Sequence, residues 1–275
     1  MDRSWLSALS QIALCGLVAA QPSEPVIATF KGTRLFQFHT TEALPKKHLE
    51  FRVAHRFGNA LEGYRNFFGL DAGAMVRLSL GYGVLSWLEL GVERSSAGKW
   101  WNIYTKIRLL RQSTPKGSPL SLTWLSAAFV TEASDQTRYR EPLHRVEYLH
   151  QLLVAHKLNW RLSGLVGLSV LHQNMALSPT TPNTWLSGWA GLRFKVLNRL
   201  CLFAEAAFPF WRNQSLPHYQ LPWSAGLEIE TGGHVFQLGF TNSEGISENA
   251  ILLNRWRGLR AGFNISRIFS GEASW

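Results

Sequence analysis

The sequence predicts an all-β fold: a single antiparallel transmembrane β-barrel of about 12 strands, of the outer-membrane type. Three observations predict it. Apolar and polar residues alternate with period two from residue 49 to residue 269, the connections alternate in length, and many of the 12 Trp fall near predicted strand ends. Composition agrees. Of 275 residues, 46% are hydrophobic and 17% charged, with a formal charge of +10. So many apolar residues with so few charges exclude a disordered chain. The chain contains no apolar run long enough for a membrane helix.

Residues 1–20 read as a secretory signal peptide. Arg3 is followed by a mostly apolar stretch, and Val18-Ala19-Ala20 supplies small residues before Gln21-Pro22. Cleavage removes Cys15 and leaves Cys201 alone, so no intramolecular disulfide is possible. Residues 21–48 precede the barrel. Pro22, Pro25 and Pro45 suit a solvated linker, and a plug folded into the lumen is the other reading. This segment is also the place for a periplasmic partner.

The barrel is expected over 49–269, with a tail at 270–275. Its predicted strands are 49–57, 72–82, 87–93, 100–109, 119–130, 146–157, 162–170, 186–196, 200–208, 221–230, 236–241 and 259–269. In 72–82, for example, Val76, Leu78, Leu80 and Tyr82 oppose Arg77, Ser79 and Gly81. Most segments approach the length that a tilted membrane strand needs. The connections 83–86, 158–160, 197–199 and 231–232 are short, whereas 58–71, 131–143, 172–184 and 242–256 are long. Tight periplasmic turns and longer outer loops give this asymmetry. Connections 94–99 and 110–118 fit it less well.

Trp87, Trp100, Trp101, Trp160, Trp185, Trp211 and Trp223 are expected to form aromatic girdles at headgroup depth. Trp124 and Trp189 fall nearer mid-strand. Phe263 to Phe269 alternate and suit a closing strand read by the barrel insertion machinery. Outer-membrane lipid is the expected surrounding.

Several phrases carry a resemblance: Ala28-Thr29-Phe30-Lys31-Gly32-Thr33-Arg34-Leu35, Phe51-Arg52-Val53-Ala54-His55-Arg56-Phe57-Gly58 and Glu228-Ile229-Glu230-Thr231-Gly232-Gly233-His234-Val235-Phe236-Gln237 among them. Together they resemble the bacterial outer-membrane β-barrels grouped as domain of unknown function 5777. The resemblance implies an outer-membrane barrel and no particular activity.

Alternation assigns the lumen. Inward cations are expected at Arg52, Arg56, Arg77, Lys106, Arg108, Arg145, Lys157, Arg161, Arg193, Lys195 and Arg260. Inward anions are expected at Glu50, Glu89, Glu93, Glu147, Glu205, Glu228 and Glu230. Eleven against seven favours a narrow passive channel for small anionic solutes. The same charges could instead pair and fill the lumen of a closed barrel that serves as a structural, assembly or binding partner. An outer-membrane lipid hydrolase is a minor alternative, through Ser169 with His172, His144 or His150, although parity places Ser169 and His172 on opposite faces. His150 is expected to face lipid in mid-strand, which suggests a bulge there. No metal-ligand spacing, phosphate loop or dinucleotide fingerprint is present, so no cofactor is expected. The spread of Lys and Arg along the chain argues against nucleic acid.

Overall fold

A computed structural model describes residues 24–26, 29–114, 117–210, 216 and 218–270. The signal peptide, Trp211 and the end of the tail lie outside the described residues. Twelve strands form one closed antiparallel barrel. They are β1 (His48–Arg56), β2 (Met75–Leu85), β3 (Leu88–Ser95), β4 (Trp100–Leu110), β5 (Ser121–Thr131) and β6 (Val146–Lys157). They continue as β7 (Leu162–Gln173), β8 (Thr184–Leu197), β9 (Leu200–Pro209), β10 (Trp223–Thr231), β11 (His234–Thr241) and β12 (Arg260–Ser270). Each strand pairs with its sequence neighbours. β12 closes on β1, from Gly262 opposite Arg56 to Ser270 opposite His48. Closure leaves no unpaired sheet edge.

Side-chain direction follows the pleat, inverted relative to a soluble protein. In β2, Arg77, Ser79 and Gly81 are buried in the lumen while Leu78, Leu80 and Tyr82 face outward. No described helix is long and apolar enough to cross a membrane.

One end of the barrel carries tight reversals at residues 86–87, 198–199 and 232–233. The strand pairings slip between Gly83 and Leu85, Arg108 and Leu110, and Lys195 and Leu197, all at this same end. The opposite end carries the loops 57–74, 132–145, 174–183, 210–222 and 242–259, the last containing a short helix α1 (Glu248–Leu252).

The Trp residues near strand ends divide between the two faces of the barrel wall. Trp87 and Trp160 are exposed at the short-turn end, and Trp101 and Trp223 at the long-loop end. Two assignments are corrected. Trp185 is only 1% exposed and points into the lumen, where its Nε1 donates to Gln173 Oε1 at 3.2 Å. Trp100 precedes the outward-facing Trp101, so the pleat turns it inward, edge-on to Phe129. Both sit near strand ends as predicted, but on the other face.

His150 also faces outward, and no bulge is needed. β6 pairs without a break with β5 and β7 across it. Its Nδ1 lies 2.9 Å from Ser126 Oγ, and Trp124 donates to that same hydroxyl and stacks on the imidazole. Local partners therefore offset the cost of a polar ring on the outer face.

Candidate functional site: the lumen and its hairpin

The lumen is occupied by the chain's own N-terminal segment. Between residues 29 and 44, Thr29, Phe30, Thr33 to Thr41, Ala43 and Leu44 are buried. Thr33 to Thr40 form a tight hairpin: Leu35 N–H donates to Phe38 O at 2.9 Å and Thr40 N–H to Thr33 O at 2.8 Å. Both legs enter from the short-turn end. There, Glu24–Pro25 pair with Ser113–Thr114, and Lys47 N–H donates to Gly83 O. Gly83 makes the exit possible, because a Cβ would lie 2.0 Å from Pro45 O.

The hairpin meets two different walls. On β1 to β4 the inward residues are mostly charged or polar. Arg34 pairs with Glu93 at 2.7 Å and with Glu248 of α1 at 3.1 Å. Glu93 also accepts from Ser79 and Asn102, each at 2.8 Å. Lys106 donates to the carbonyls of Thr33 and Glu42, and Arg108 to that of Ala43. Leu44 N–H donates to Glu89, and Arg52 pairs with Glu50 at 3.0 Å.

On β5 to β9 the inward residues are mostly apolar: Leu125, Phe129, Leu149, Leu153, Leu165, Leu171, Trp185, Trp189 and Phe203 form the buried core with Leu35, Phe36 and Phe38. Phe38 stacks on Trp189 at 4.6 Å and Phe36 on Phe203 at 5.0 Å. Trp189 lies flat across Gly167, whose missing side chain leaves the space.

At the hairpin turn, three backbone N–H groups converge on one carboxylate. Phe36, Gln37 and Phe38 donate to Glu205 at 3.3, 2.7 and 3.4 Å. Successive N–H groups of this kind form a concave anion site, here filled by the wall itself. Gln37 Nε2 donates to Ser224, Thr241 and Ser243. The Arg56 guanidinium sits 3.8 Å from the Phe36 ring centroid, and Asn264 donates to Phe36 O at 2.8 Å.

From the long-loop end, residues 246–254 fold inward. Ile251 and Leu252 join the apolar core, and Glu248 reaches Arg34. The Glu248 carboxyl is raised by burial against the pull of Arg34. His39, beside Tyr104, has no partner for either ring nitrogen among the described residues. Burial holds its imidazole well below the ordinary value, and Arg34 and Lys106 add to the shift.

Of the residues assigned to the lumen, Arg52, Arg56, Arg77, Glu89, Glu93, Lys106, Glu147, Arg193, Glu205 and Glu228 are buried inside the barrel. Arg108, Arg145, Lys195 and Arg260 are half-buried near strand ends. Arg161 is a correction. It is exposed in the turn before β7, with its guanidinium 4.2 Å from the Trp160 ring centroid. A residue beyond the last ladder pair is not bound by strand parity. Arg77 is buried with no partner for any guanidinium nitrogen among the described residues.

Sequence reasoning missed Arg34, Gln37, His39, Glu248 and Asn249, which lie outside the strands. It also missed the inward apolar wall. The signal for that wall was available, since strands such as 149–155 are apolar on both faces. Ser169 and His172 are not brought together: Ser169 accepts from Gln151 inside the lumen, while His172 bonds Thr184 on the outside. Cys201, Glu228 and Glu230 cluster with their ligand atoms within 4.8 Å. Arg193 pairs with both carboxylates there, which leaves that set occupied.

A family model described as a membrane-bound β-barrel domain, domain of unknown function 5777, matches residues 30–269. No curated protein matches the chain. Among solved structures, the KdgM porin is similar at 9% identity with a TM-score of 0.51, covering 81% of this chain and 99% of its own. One structure of that porin is described as a complex with disordered oligogalacturonate. The COG4313 outer membrane channel from Pseudomonas putida F1 is similar at 10% identity with a TM-score of 0.51, covering 83% of this chain and 98% of its own. Outer membrane phospholipase A from Escherichia coli aligns at 11% identity with a TM-score of 0.46, over 89% of this chain and 96% of its own, and carries no argument about chemistry. At these identities the likeness concerns the fold alone.

Proposed function

The chain belongs to that membrane-bound β-barrel family, and we propose that it is an outer-membrane channel for small anionic solutes, held shut by its own N-terminal hairpin. One observation carries the reading: the hairpin fills the lumen, yet it is a separate segment whose two legs leave through the short-turn end. A barrel that needed only a solid core could supply it from its own strands. Inside the barrel the carboxylates Glu50, Glu89, Glu93, Glu147, Glu205 and Glu228 offset Arg52, Arg56, Arg77, Lys106 and Arg193, so the anion preference draws on the half-buried Arg108, Lys195 and Arg260 nearer the mouths and on Arg56 and Arg77, which make no ion pair with any described residue. With the hairpin withdrawn, those cations would line the path and favour anions. The short-turn end is then periplasmic and the long loops face outside. The fold shared with outer-membrane channels is consistent with this role.

The test is selectivity. Purified protein with residues 29–44 deleted is placed in a planar bilayer under a salt gradient, and the reversal potential is read. Displacement toward the chloride potential is expected. A cation preference, or the absence of any current from correctly folded barrels, would contradict the reading.

A closed barrel that serves as a binding or assembly partner is the second reading. The pairing of Glu24–Pro25 with Ser113–Thr114 favours it, because it holds the N-terminal end of the segment at the periplasmic mouth, within reach of a partner.

A further inference from the structure

Exposed charge is divided unequally between the two ends of the barrel. At the short-turn end, Lys46, Lys47, Arg111, Arg161, Arg199 and Arg267 are exposed, and none makes an ion pair with a described residue. Lys31 is exposed there too and reaches Glu230 at 3.8 Å. Among the described residues, Glu24 is the one exposed carboxylate at that end. Glu42 and Glu230 are half-buried, and Glu230 is also engaged by Arg193. The long-loop end is nearly balanced. Its five exposed cations among the described residues stand against Glu62, Asp71, Glu132, Asp135, Glu141 and Glu244, all exposed. The surface excess of positive charge therefore sits at one mouth.

These cations lie on a ring. Lys46 and Lys47 precede β1, Arg111 follows β4, Arg161 precedes β7, Arg199 joins β8 to β9, and Arg267 lies near the end of β12. The ring runs through an apolar belt, since Trp87, Leu158, Trp160, Leu197 and Phe269 are exposed at the same end. The Arg161 guanidinium lies 4.2 Å from the Trp160 ring centroid, and that of Arg267 lies 4.9 Å from Phe269. The turn carrying the first pair is fixed, because Asn159 Oδ1 accepts from the N–H groups of Arg161 and Leu162 at 2.8 and 2.9 Å. Exposed rings with cations beside them suit the boundary between hydrocarbon and headgroups. Arg267 follows the inward Ser266, so the pleat turns it to the outside of the barrel. An acidic protein seated on the mouth would leave such an outward cation uncovered, whereas a lipid leaflet meets the ring from every side.

We propose that the short-turn rim binds the phosphates of anionic phospholipid, of which phosphatidylglycerol is the simplest, in the leaflet around it. The guanidinium groups donate paired N–H bonds to a phosphate oxygen pair, and the lysines add charge beside them. Trp160 and Phe269 pack against the glycerol and the first methylenes of the same lipids. Lys46 and Lys47 also end the second leg of the hairpin, where Lys47 N–H donates to Gly83 O, so lipid bound there holds that exit in place. The inference needs a membrane barrel and no channel, so it stands or falls apart from the conductance test.

Electron spin resonance on the full-length protein in phosphatidylcholine vesicles tests it. A trace of spin-labelled phosphatidylglycerol or spin-labelled phosphatidylcholine is added, and the fraction immobilised at the protein gives their relative association. Phosphatidylglycerol should be held about three- to fivefold more strongly at low salt. The excess should fall below about twofold in 1 M salt, where the Debye length is about 3 Å. The combined variant Lys46→Gln, Lys47→Gln, Arg161→Gln, Arg199→Gln, Arg267→Gln should lose the preference. A second variant, Arg65→Gln, Lys99→Gln, Arg140→Gln, Arg255→Gln, Arg257→Gln, removes the same charge from the other end and should keep it. All these side chains are exposed, so both variants leave the backbone ladder intact. Arg161→Gln with Arg199→Gln, both in turns, should lower the preference by about half and serves if the first variant fails to fold. Equal association of the two lipids, or equal loss in the two five-site variants, would overturn the proposal. So would a preference abolished by sodium phosphate at constant ionic strength, which would assign the rim to soluble anions.

Discussion

The two walls of the lumen differ in kind. β1 to β4 present Glu50, Arg52, Arg77, Glu89, Glu93 and Lys106, whereas β5 to β9 present Leu125, Phe129, Leu149, Leu153, Trp189 and Phe203. The hairpin between them is amphipathic to match. Phe36 and Phe38 lie on the apolar wall, and Arg34 and the backbone carbonyls of its legs face the charged one. Apolar contact is tolerant of small displacements, while charge-assisted hydrogen bonds fix direction. The apolar wall therefore supplies holding strength and the charged wall supplies register. A plug built this way can be released by breaking either set.

The largest expected effect comes from the charged side. Arg34→Met removes the cation bonded to both Glu93 and Glu248 and leaves only the unbonded Arg77 guanidinium near them, a loss of up to about 3–5 kcal/mol for a broken buried pair. Hydrogen exchange at residues 33–40 should accelerate by orders of magnitude while the barrel ladder keeps its protection. The apolar side is close behind. Trp189→Ala removes the ring stacked on Phe38 and opens a cavity, at about 3–5 kcal/mol less whatever the site recovers by collapse. Faster exchange in the hairpin with an intact ladder is again the readout. If Trp189→Ala instead lowers protection in β8 and β9 alone, the ring supports the wall rather than the hairpin.

A smaller effect is expected at the turn. Glu205→Gln keeps the shape but removes the charge that accepts from Phe36, Gln37 and Phe38, at about 1–2 kcal/mol. Exchange of those three amides should rise before that of the legs. Unchanged exchange there would show that the three converging N–H groups contribute little.

The smallest effect is one of pH. The buried His39 imidazole is held well below its ordinary value, and burial is the first cause. The docked hairpin therefore disfavours a proton that the released hairpin accepts at about pH 6.5. Docking is strongest above that pH and weakens as the pH falls below it. Glu248 works in the opposite sense nearer the carboxylate range, because burial raises it. The readout is hairpin exchange between about pH 7.5 and pH 5.5, corrected for intrinsic rates. His39→Leu should flatten the response, and an equal slope in that variant would assign it elsewhere.

Much of the barrel was legible because period-two alternation is a local property. Arg77, Ser79 and Glu93 point inward wherever their strands lie in the ring, so parity alone places them. Arg161 escaped that logic by one residue, sitting just before Leu162, the first residue of β7 to pair with β8. Trp185 shows the limit of composition: proximity to a strand end does not say which face a ring takes. The hairpin was legible only as one of two options. Its fit depends on residues far apart in the chain, such as Arg34 with Glu248 and Gln37 with Thr241, and no local pattern encodes such a meeting. His150 was read correctly as outward and wrongly as irregular, since its partner Ser126 lies on the neighbouring strand.

Single-channel conductance, compared between the full-length chain and the chain lacking residues 29–44, tests the central claim most directly. The account predicts a full-length protein that is closed or opens rarely, and a hairpin-deleted protein with steady steps at least about tenfold larger in mean current. Equal conductance from the two, with both barrels folded, would contradict it.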